Sequence, residues 1–398
     1  MISTWNKVRV GNRLYNLEIK NGYFSAITPY QHEQHLTGSP SVSTHDADGL
    51  LYIPAMKDMH CHLDKHFLNE PKWYSRQTID TLPNQLRREK KLLGQLTQSV
   101  EERARVMLDT MLQLGTTQIR THVDVDQEVG VESLEAVLKV REEYRGIVDI
   151  EIVAFPQQGL IRSQALPLMR EAMQMGADLV GAVDPGGLDE AIDPCLEEVF
   201  GLAAEYQAGV DIHLHDPGHL GVYTIERMTE FTAQAGLKDR VAVSHAWGLG
   251  HISDVELSRL ADKLREQGVA VISSVPIDRP MPNLPLLRSL GVVTMIGTDN
   301  VLDAWSPYGN GDMLQRTSRL AERYHWVEDE QLLGAFEYAA VGAVEPKLGE
   351  RADFMLVNNV INVEHALCKV PEREWVVSHG QIAGGTRAGI RHKRALSR

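Results

Sequence analysis

A chain of 398 residues with 43% apolar and 24% charged residues is long enough to bury a large core, as a soluble globular protein does. Its formal charge of −14 argues against a nucleic-acid-binding or anionic-membrane surface, because both need clustered positive charge. The sequence has no membrane-length apolar run, no secretory signal and no paired cysteine spacing, so we expect a cytoplasmic protein without disulfides.

The two ends of the chain carry short strand patterns. Those near the start lie at 7–10, 14–19 and 23–27, and those near the end lie at 351–358 and 374–382. The first group is too short to form a core alone, so we expect it to pair with the second. We therefore predict a small β-sandwich domain from residues 1–53 and 344–398, and a separate unit from residues 54–343.

Between these ends, apolar strand patterns alternate with amphipathic helix patterns, which indicates a parallel sheet buried on both faces. Eight such units over about 290 residues predict a (β/α)8 TIM barrel. A doubly wound sheet is the alternative, but no glycine-rich phosphate loop follows any strand. After a first strand that ends at His60–His62, the predicted strands lie at 118–123, 149–155, 179–183, 210–214, 241–244, 269–273 and 292–296. The main predicted helices lie at 97–114, 131–144, 163–175, 190–207, 222–235 and 253–267.

Histidines and carboxylates follow several of these strands. His60 and His62 share one face of their strand, because side chains alternate with a period of two, and two such imidazoles can hold a divalent metal. Each residue alone is more often a hydrogen-bonded structural side chain than a ligand. In a barrel, however, the carboxyl ends of all strands meet at one mouth, so together they indicate a metal site. The polar residues at the later strand ends are His122, Asp124, Gln157, Asp184, His213, His215, His245 and Asp299.

This arrangement resembles the amidohydrolase superfamily, and in particular its cytosine deaminase-like branch. The matching segments span the barrel in order: 60–65 (HCHLDK), 154–159 (AFPQQG), 176–181 (GADLVG), 211–213 (DIH), 244–245 (SH) and 299–305 (DNVLDAW). Two positions differ from cytosine deaminases. Those enzymes have a glutamate where this chain has Asp216, and a second aspartate where this chain has Asn300. These departures, with Lys65, Asp184 and residues 309–313 (GNGDM), are more similar to the N-isopropylammelide isopropyl amidohydrolases, which remove an amine from an s-triazine ring.

The resemblance implies a metal ion held by four residues, His60, His62, His213 and Asp299. Such an ion lowers the pKa of a bound water from about 15.7 toward about 7. Asp299 is then expected to accept the proton of that water and pass it to the departing nitrogen. His245 is expected to orient the water or to serve as a further weak ligand. His122 and Asp124 fall outside this ligand set.

Further side chains are expected to act on a planar substrate. Lys65 and His215 are placed to polarise the ring atom next to the attacked carbon. Gln157 offers a donor and an acceptor in one amide, Asp184 can accept a ring N–H, and Trp305 can pack on the ring. The structural alternatives are that Gln157 binds loop backbone, that Asp184 belongs to a turn and that Trp305 is core.

A single ion per chain is expected. Binuclear relatives bridge two metals with a lysine at the end of strand four, where this chain has Gly181–Asp184 and no lysine. Imidazole and carboxylate ligands suit zinc, iron and manganese alike, and zinc is the expected ion.

The sequence thus predicts a metal-dependent deaminase or aminohydrolase that releases ammonia or a small amine from a pyrimidine- or triazine-like heterocycle. Two alternatives stay open. One is a hydrolase of the same superfamily that cleaves a cyclic amide or another bond. The other is an inactive interaction protein on the same barrel, which the complete ligand set disfavours. The expected partner is a small heterocyclic substrate rather than nucleic acid or a membrane, and homo-oligomers are common among relatives.

Overall fold

Two eight-stranded sheets organise the chain in a computed structural model that describes residues 2–31 and 42–388. The strands are β1 (Ile2–Val10), β2 (Arg13–Lys20), β3 (Tyr23–Pro29), β4 (Val42–Asp46), β5 (Leu51–Pro54), β6 (Met56–Cys61), β7 (Thr116–Asp124), β8 (Asp149–Phe155), β9 (Leu179–Val183), β10 (Gly209–His213), β11 (Val241–Ser244), β12 (Ala270–Ser273), β13 (Thr294–Ile296), β14 (Phe354–Val357), β15 (Arg373–Ser378) and β16 (Gln381–Gly384). The α-helices are α1 (Leu82–Leu93), α2 (Val100–Gln113), α3 (Glu132–Glu143), α4 (Leu166–Met175), α5 (Ile192–Tyr206), α6 (Gly218–Ala235), α7 (Asp254–Gln267), α8 (Leu284–Ser289), α9 (Met313–Arg323), α10 (Asp329–Ala335) and α11 (Val363–Lys369). Two 3₁₀ helices lie at Trp247–His251 and Phe336–Tyr338.

Strands β6 to β13 form one parallel sheet in which each strand pairs with the next along the chain. The two edges of this sheet meet just beyond β13, where Cys61 and Asp299 form a parallel bridge and the Asp299 N–H donates to the His60 carbonyl at 2.7 Å. The predicted TIM barrel is therefore confirmed. Strand β9 is apolar and all five of its residues are buried, as expected for a sheet covered by helices.

The second sheet joins both ends of the chain in the order β16–β15–β14–β5–β1–β2–β3, with β4 also pairing to β1. Phe24 of β3 and Phe354 of β14 are four strands apart in this order, yet their ring centroids are 5.9 Å apart. Trp5 packs edge-on against both Phe354 and Trp375. The sheet thus folds over its own core, as the predicted small β-sandwich requires. Residues 1, 32–41 and 389–398 of that predicted domain lie outside the described part of the chain.

Helix α1 is the element near the barrel mouth that the sequence patterns did not predict. Its buried positions are Gln85, Leu86 and Glu89, so two of three are polar and no apolar stripe marks it. Thr81 caps its first turn, accepting a hydrogen bond from the N–H of Asn84. Of the helices in residues 2–31 and 42–388, none is both long enough and apolar enough for a membrane span.

Candidate active site

The predicted metal-binding residues converge at the carboxyl ends of the barrel strands. His60 lies at the end of β6 and His62 just beyond it, while His213 ends β10. The ligand atoms of His60, His62 and His213 lie within 4.8 Å of one another. Those of His60, His245 and Asp299 satisfy the same limit. The structure therefore brings the four predicted ligands and His245 around one point.

The backbone turns sharply where three of these strands end. The φ values are 39° for Asp184, 67° for His245 and 56° for Asp299. They lie in the left-handed region, which residues other than glycine rarely adopt. Such residues cost about 1–3 kcal/mol each and persist only where their surroundings fix them. Here each backbone N–H is bound by the neighbouring strand: Asp184 donates to the His213 carbonyl, His245 to the Ile272 carbonyl and Asp299 to the His60 carbonyl. The barrel thereby holds three of the predicted site residues in strained backbone conformations.

Gly297 permits the contact between the last and first barrel strands. A Cβ atom at this position would lie 2.5 Å from the nitrogen and 2.6 Å from the oxygen of His60. Any side chain would therefore push β6 away from Asp299. Glycine is required here because the two backbones approach closely. This approach places the predicted ligand Asp299, after strand eight, next to the predicted ligand His60 on strand one.

Hydrogen bonds fix which nitrogen of His60 and His62 faces the site. His62 Nδ1 lies 3.0 Å from the His122 carbonyl, so Nδ1 must carry the proton and Nε2 is left with its lone pair. His60 Nδ1 lies 2.8 Å from Ser244 Oγ, which itself donates to Asp211 Oδ1 at 2.7 Å. Ser244 then accepts from His60, and His60 Nε2 is likewise free to bind a metal.

His213 stacks on Phe155 with ring centroids 4.0 Å apart and an interplanar angle of 18°. Within the described residues, neither ring nitrogen of His213 or of His245 has a hydrogen-bond partner, and His60 Nε2 has none. Buried nitrogens without partners are costly, and a metal ion would satisfy one nitrogen of each ring that it binds.

The spacing of the ligand atoms also fits a single ion. Asp299 Oδ1 lies 3.6 Å from His60 Nε2 and 3.5 Å from His62 Nε2. Ligands bonded at about 2.1 Å in a tetrahedral arrangement are roughly 3.4 Å apart. The residues present thus fit a divalent metal in both chemistry and distance.

Protonation states agree with this fit. Burial lowers the pKa of His60 and His213 well below the ordinary value, and it lowers the pKa of His245 to about 3. These imidazoles are therefore neutral at pH 7, as metal ligands must be. Burial alone would raise the pKa of Asp299, but the adjacent histidines hold it below its usual range, so the carboxylate is ionised.

A second grouping of His60, His122 and Asp211 lies on the other side of the His60 ring. His122 is fully buried there, with its ring centroid 4.2 Å from that of His60. Arg120 Nη1 donates to Asp211 at 2.9 Å. This guanidinium already neutralises the carboxylate, so a second cation is disfavoured at this position.

His215 and Asp184 form an ion pair beside the histidine cluster. His215 Nδ1 lies 2.9 Å from Asp184 Oδ2, and the His215 ring centroid is 4.5 Å from that of His245. Burial lowers the pKa of His215, but the Asp184 carboxylate outweighs it and the pKa is raised. Each carboxylate oxygen of Asp184 thus accepts a hydrogen bond from His215, one from its backbone N–H and one from its ring. Asp216 accepts from the Gly187 N–H at 3.1 Å and belongs to a loop.

Lys65 lies in a buried polar network at the mouth. Its ammonium donates to Asp124 Oδ1 at 2.8 Å and to Gln157 Oε1, and it lies 3.9 Å from Glu89 Oε1. Glu89 also accepts from Gln157 Nε2 at 2.8 Å and from the Trp305 indole at 2.7 Å. The predicted residues Lys65, Gln157 and Trp305 therefore meet, joined by two carboxylates to which the sequence analysis gave no role.

The signals for these two carboxylates differ. Asp124 stands at the end of β7, so its place at the mouth could be read from the barrel pattern. Glu89 lies on the polar helix α1, and no pattern in the sequence marks it.

Comparisons with known proteins agree with this geometry. The model of the amidohydrolase family matches residues 43–343. YahJ, an uncharacterized protein of Escherichia coli strain K12, is 36% identical over 386 residues, which cover 94% of this chain and 82% of that protein. N-isopropylammelide isopropyl amidohydrolase of Pseudomonas sp. strain ADP is 32% identical over 360 residues, which cover 85% of this chain and 87% of that protein.

A solved structure gives the same result. The crystal structure of N-isopropylammelide isopropylaminohydrolase from Burkholderia multivorans ATCC 17616 superposes with a TM-score of 0.87 at 31% identity, covering 97% of this chain and 98% of that chain. The resemblance expected from the strand-end motifs is thus confirmed, and the chain belongs to the amidohydrolase family.

Proposed function

We propose that this protein is a metal-dependent aminohydrolase that releases ammonia or a small amine from a pyrimidine- or triazine-like heterocycle. The observation that carries the proposal is the group of unbonded, buried histidine nitrogens around Asp299, set between the His215–Asp184 pair and the Lys65–Gln157 pair. Two relatives named for N-isopropylammelide support a heterocyclic substrate.

One divalent ion, zinc in our prediction, would be held by His60, His62, His213 and Asp299, with His245 beside it. When bound, it supplies Lewis-acid activation of a water molecule near neutral pH. Asp299 would take one proton from that water while the water oxygen forms a bond to the ring carbon. The carboxyl would return the proton to the exocyclic nitrogen as the C–N bond breaks. The products are the oxo heterocycle and ammonia or an amine.

The other side chains would orient the substrate and stabilise charge on the ring. Asp184 binds Nδ1–H of His215 and raises the pKa of its ring, and the protonated ring would offer a second N–H, on Nε2, to the substrate. Lys65 has one N–H left after donating to Asp124 and Gln157, and that N–H would polarise a ring nitrogen or oxygen. Asp184 would act through His215, which modifies the direct substrate contact predicted from the sequence.

An apolar wall beside the network suits a flat ring. Leu86, Phe155, Val183 and Leu188 form a buried cluster against which Trp305 packs. The indole nitrogen of Trp305 is bound to Glu89, so the orientation of its ring is fixed. We propose that Trp305 packs on the heterocycle and that Gln157 pairs with its edge through the remaining N–H and lone pair of the amide.

The test is a screen for released ammonia and alkylamine. Protein loaded separately with zinc, iron and manganese is incubated with cytosine, isocytosine, isoguanine, ammelide, N-alkyl ammelides and creatinine. Turnover by the wild type that is absent in Asp299→Ala supports the proposal and identifies the leaving group.

Ring opening of a cyclic amide without amine release would instead favour the other hydrolase chemistry. Protein that binds no stoichiometric metal and gains no stability from it would favour an inactive barrel. Metal analysis of the same preparations tests the predicted single ion, and the mass in solution shows whether the protein forms a homo-oligomer.

A further inference from the structure

Helix α1 places one acidic side chain inside the barrel mouth. Glu89 is 0% exposed, although it lies on a helix whose other charged residues reach solvent at least in part. It is the single carboxylate of α1. Burying a charge is costly unless partners compensate it, so the contacts of Glu89 are informative.

Both carboxylate oxygens of Glu89 accept hydrogen bonds from residues that we assign to substrate binding. Oε2 accepts from Gln157 Nε2 at 2.8 Å, and Oε1 accepts from Trp305 Nε1 at 2.7 Å. The Lys65 ammonium lies 3.9 Å from Oε1. Glu89 therefore connects helix α1 to two loops at the barrel mouth. One loop follows β8 and contains Gln157, and the other follows β13 and contains Trp305.

These contacts fix the amide of Gln157 in one orientation. Its oxygen accepts from Lys65 and its nitrogen donates to Glu89. The flipped amide would place an NH2 group against the ammonium and an oxygen against the carboxylate, so that both bonds would be lost. One N–H and one lone pair of Gln157 remain, and their order in space is set.

The helix itself is held firmly over the mouth. Gln85 Nε2 donates to the Ala304 carbonyl at 2.9 Å, next to Trp305. Lys90 pairs with Asp126 at 2.5 Å, in the loop after β7. Contacts on both sides of Glu89 thus fix its position relative to the loops after strands two and eight.

We propose that Glu89 is a positioning residue that sets the specificity of the site. It holds the Gln157 amide and the Trp305 indole in place, so that the remaining N–H and lone pair of Gln157 face the edge of a flat heterocycle in a fixed arrangement. This inference rests on the proposed function, because it assumes that Gln157 and Trp305 contact the substrate.

The position requires a carboxylate. Two N–H donors and an ammonium face Glu89, and a carboxylate offers an acceptor to each donor. Glutamine has one side-chain acceptor, so its NH2 would oppose either Gln157 or Trp305. Aspartate keeps the charge but is one methylene shorter and does not reach both donors. We therefore expect Glu89→Gln and Glu89→Asp to fail in the same way.

The first readout is discrimination between cytosine and isocytosine, in which the amino and carbonyl groups exchange places. In zinc-loaded protein, the ratio of kcat/KM for the preferred substrate to kcat/KM for the other should fall about tenfold or more in both Glu89 variants. Most of this change should lie in KM. Lys91→Gln is the matched control, since Lys91 is exposed two residues further along the same helix. It should leave discrimination and turnover unchanged, and all variants should bind zinc equally.

The second readout does not depend on turnover. The Trp305 indole N–H gives an NMR resonance that Trp305→Phe identifies by its loss. A hydrogen bond to a carboxylate is stronger than one to a neutral group, so Glu89→Gln should move this resonance upfield and Lys91→Gln should not. If Glu89→Gln does not fold, the discrimination between cytosine and isocytosine in Glu89→Asp, which keeps the charge but does not reach both donors, provides the test.

The outcomes separate the two proposals. A moved indole resonance together with lost discrimination supports the role of Glu89. An unmoved resonance, or unchanged discrimination in an active enzyme, overturns it. If the wild type turns over no heterocycle at all, the proposed function fails. The effect of Glu89→Gln on the calorimetric affinities for cytosine and isocytosine then decides the inference, and unchanged affinities overturn it.

Discussion

The hydroxyl oxygen of Ser244 lies 2.8 Å from Nδ1 of His60, on another strand of the barrel, and accepts a hydrogen bond from its N–H. Ser244 can do so because its own hydrogen is donated to Asp211 at 2.7 Å. Asp211 is in turn bound by Arg120 at 2.9 Å. A chain of hydrogen bonds from three other strands thus determines that His60 presents Nε2 to the site. Groups that orient a ligand in this way contribute to metal affinity without contacting the ion.

Replacing Ser244 with alanine should therefore weaken metal binding while leaving the fold intact. His60 loses the acceptor for Nδ1–H and its ring can adopt the other tautomer, so affinity for zinc should fall by about 10- to 100-fold. A competition titration with a chelator measures this. Ser258→Ala is the control, because the Ser258 hydroxyl binds only the Asp254 carbonyl within helix α7. Equal zinc affinities for the two variants would contradict the orienting role.

Asp299 should be needed for both metal binding and turnover. Its Oδ1 lies 3.5 Å from His62 Nε2 and 3.6 Å from His60 Nε2, where one ion can join all three. Asp299→Ala removes a ligand and the proton carrier, so kcat should fall by at least about 10²- to 10⁴-fold. Metal analysis after dialysis should show less than stoichiometric zinc. A variant that keeps full metal content and loses only turnover would leave Asp299 as proton carrier alone.

The barrel and the meeting of the strand-end histidines with Asp299 were predictable because each follows from a short-range rule, whereas the choice of metal ligands among them came from the family resemblance. The period of two puts His60 and His62 on one face, and a parallel barrel brings every strand end to one mouth. His213, His245 and Asp299 could thus be grouped over a long stretch of sequence without any knowledge of contacts.

The buried network at the mouth could not be found in the same way. Glu89 lies on a helix whose inward face is polar, and its partners Gln157 and Trp305 are distant in sequence. Hydrogen bonds between loops depend on three-dimensional placement, which periodicity does not encode. For the same reason, the contact between the Asp184 carboxylate and His215 could not be predicted from the sequence.

Lys65 should prove important for both catalysis and stability. Its ammonium is the only cation within 3 Å of Asp124 among the described residues, and it also lies close to Glu89. Lys65→Ala removes the ammonium that faces these buried carboxylates, so the free energy of unfolding should fall by about 3–5 kcal/mol. The metal should stay, because Lys65 is not a ligand, while kcat decreases. Denaturant unfolding, metal analysis and kinetics test each part, and unchanged kcat would contradict the assigned role.

Gly297 should tolerate no side chain. In Gly297→Ala the new Cβ would meet the His60 backbone at 2.5 Å, so the seam between β6 and Asp299 must open. We expect a loss of about 1–3 kcal/mol in unfolding free energy, as for other overpacked sites, together with weaker zinc binding. Gly201→Ala is the matched control. A Cβ there meets nothing within 4 Å inside helix α5, so that variant should gain about 1 kcal/mol. If the unfolding free energy changed in the same direction in Gly297→Ala and Gly201→Ala, the explanation by close backbone approach would be contradicted.

His66 should make the fold sensitive to acid. Its Nε2–H donates to the Arg103 carbonyl at 2.7 Å, and its Nδ1 accepts from the Leu68 N–H at 3.1 Å, so both ring nitrogens are used in the neutral form. Burial lowers the pKa of His66 from 6.5 to about 4. A lowered pKa in the folded state means that the stabilisation is fully present above pH 6.5 and is lost as the pH falls toward about 4.

The measurement is the free energy of unfolding of wild type and His66→Gln across this range, since glutamine does not titrate. At neutral pH the variant should be less stable by about 1–2 kcal/mol, because it cannot reproduce both hydrogen bonds. The wild type should then lose about 3 kcal/mol more than the variant on going to pH 4, so the difference between them closes or reverses. The other buried histidines titrate in both proteins and cancel in the comparison. Parallel curves would show that His66 does not account for the acid sensitivity.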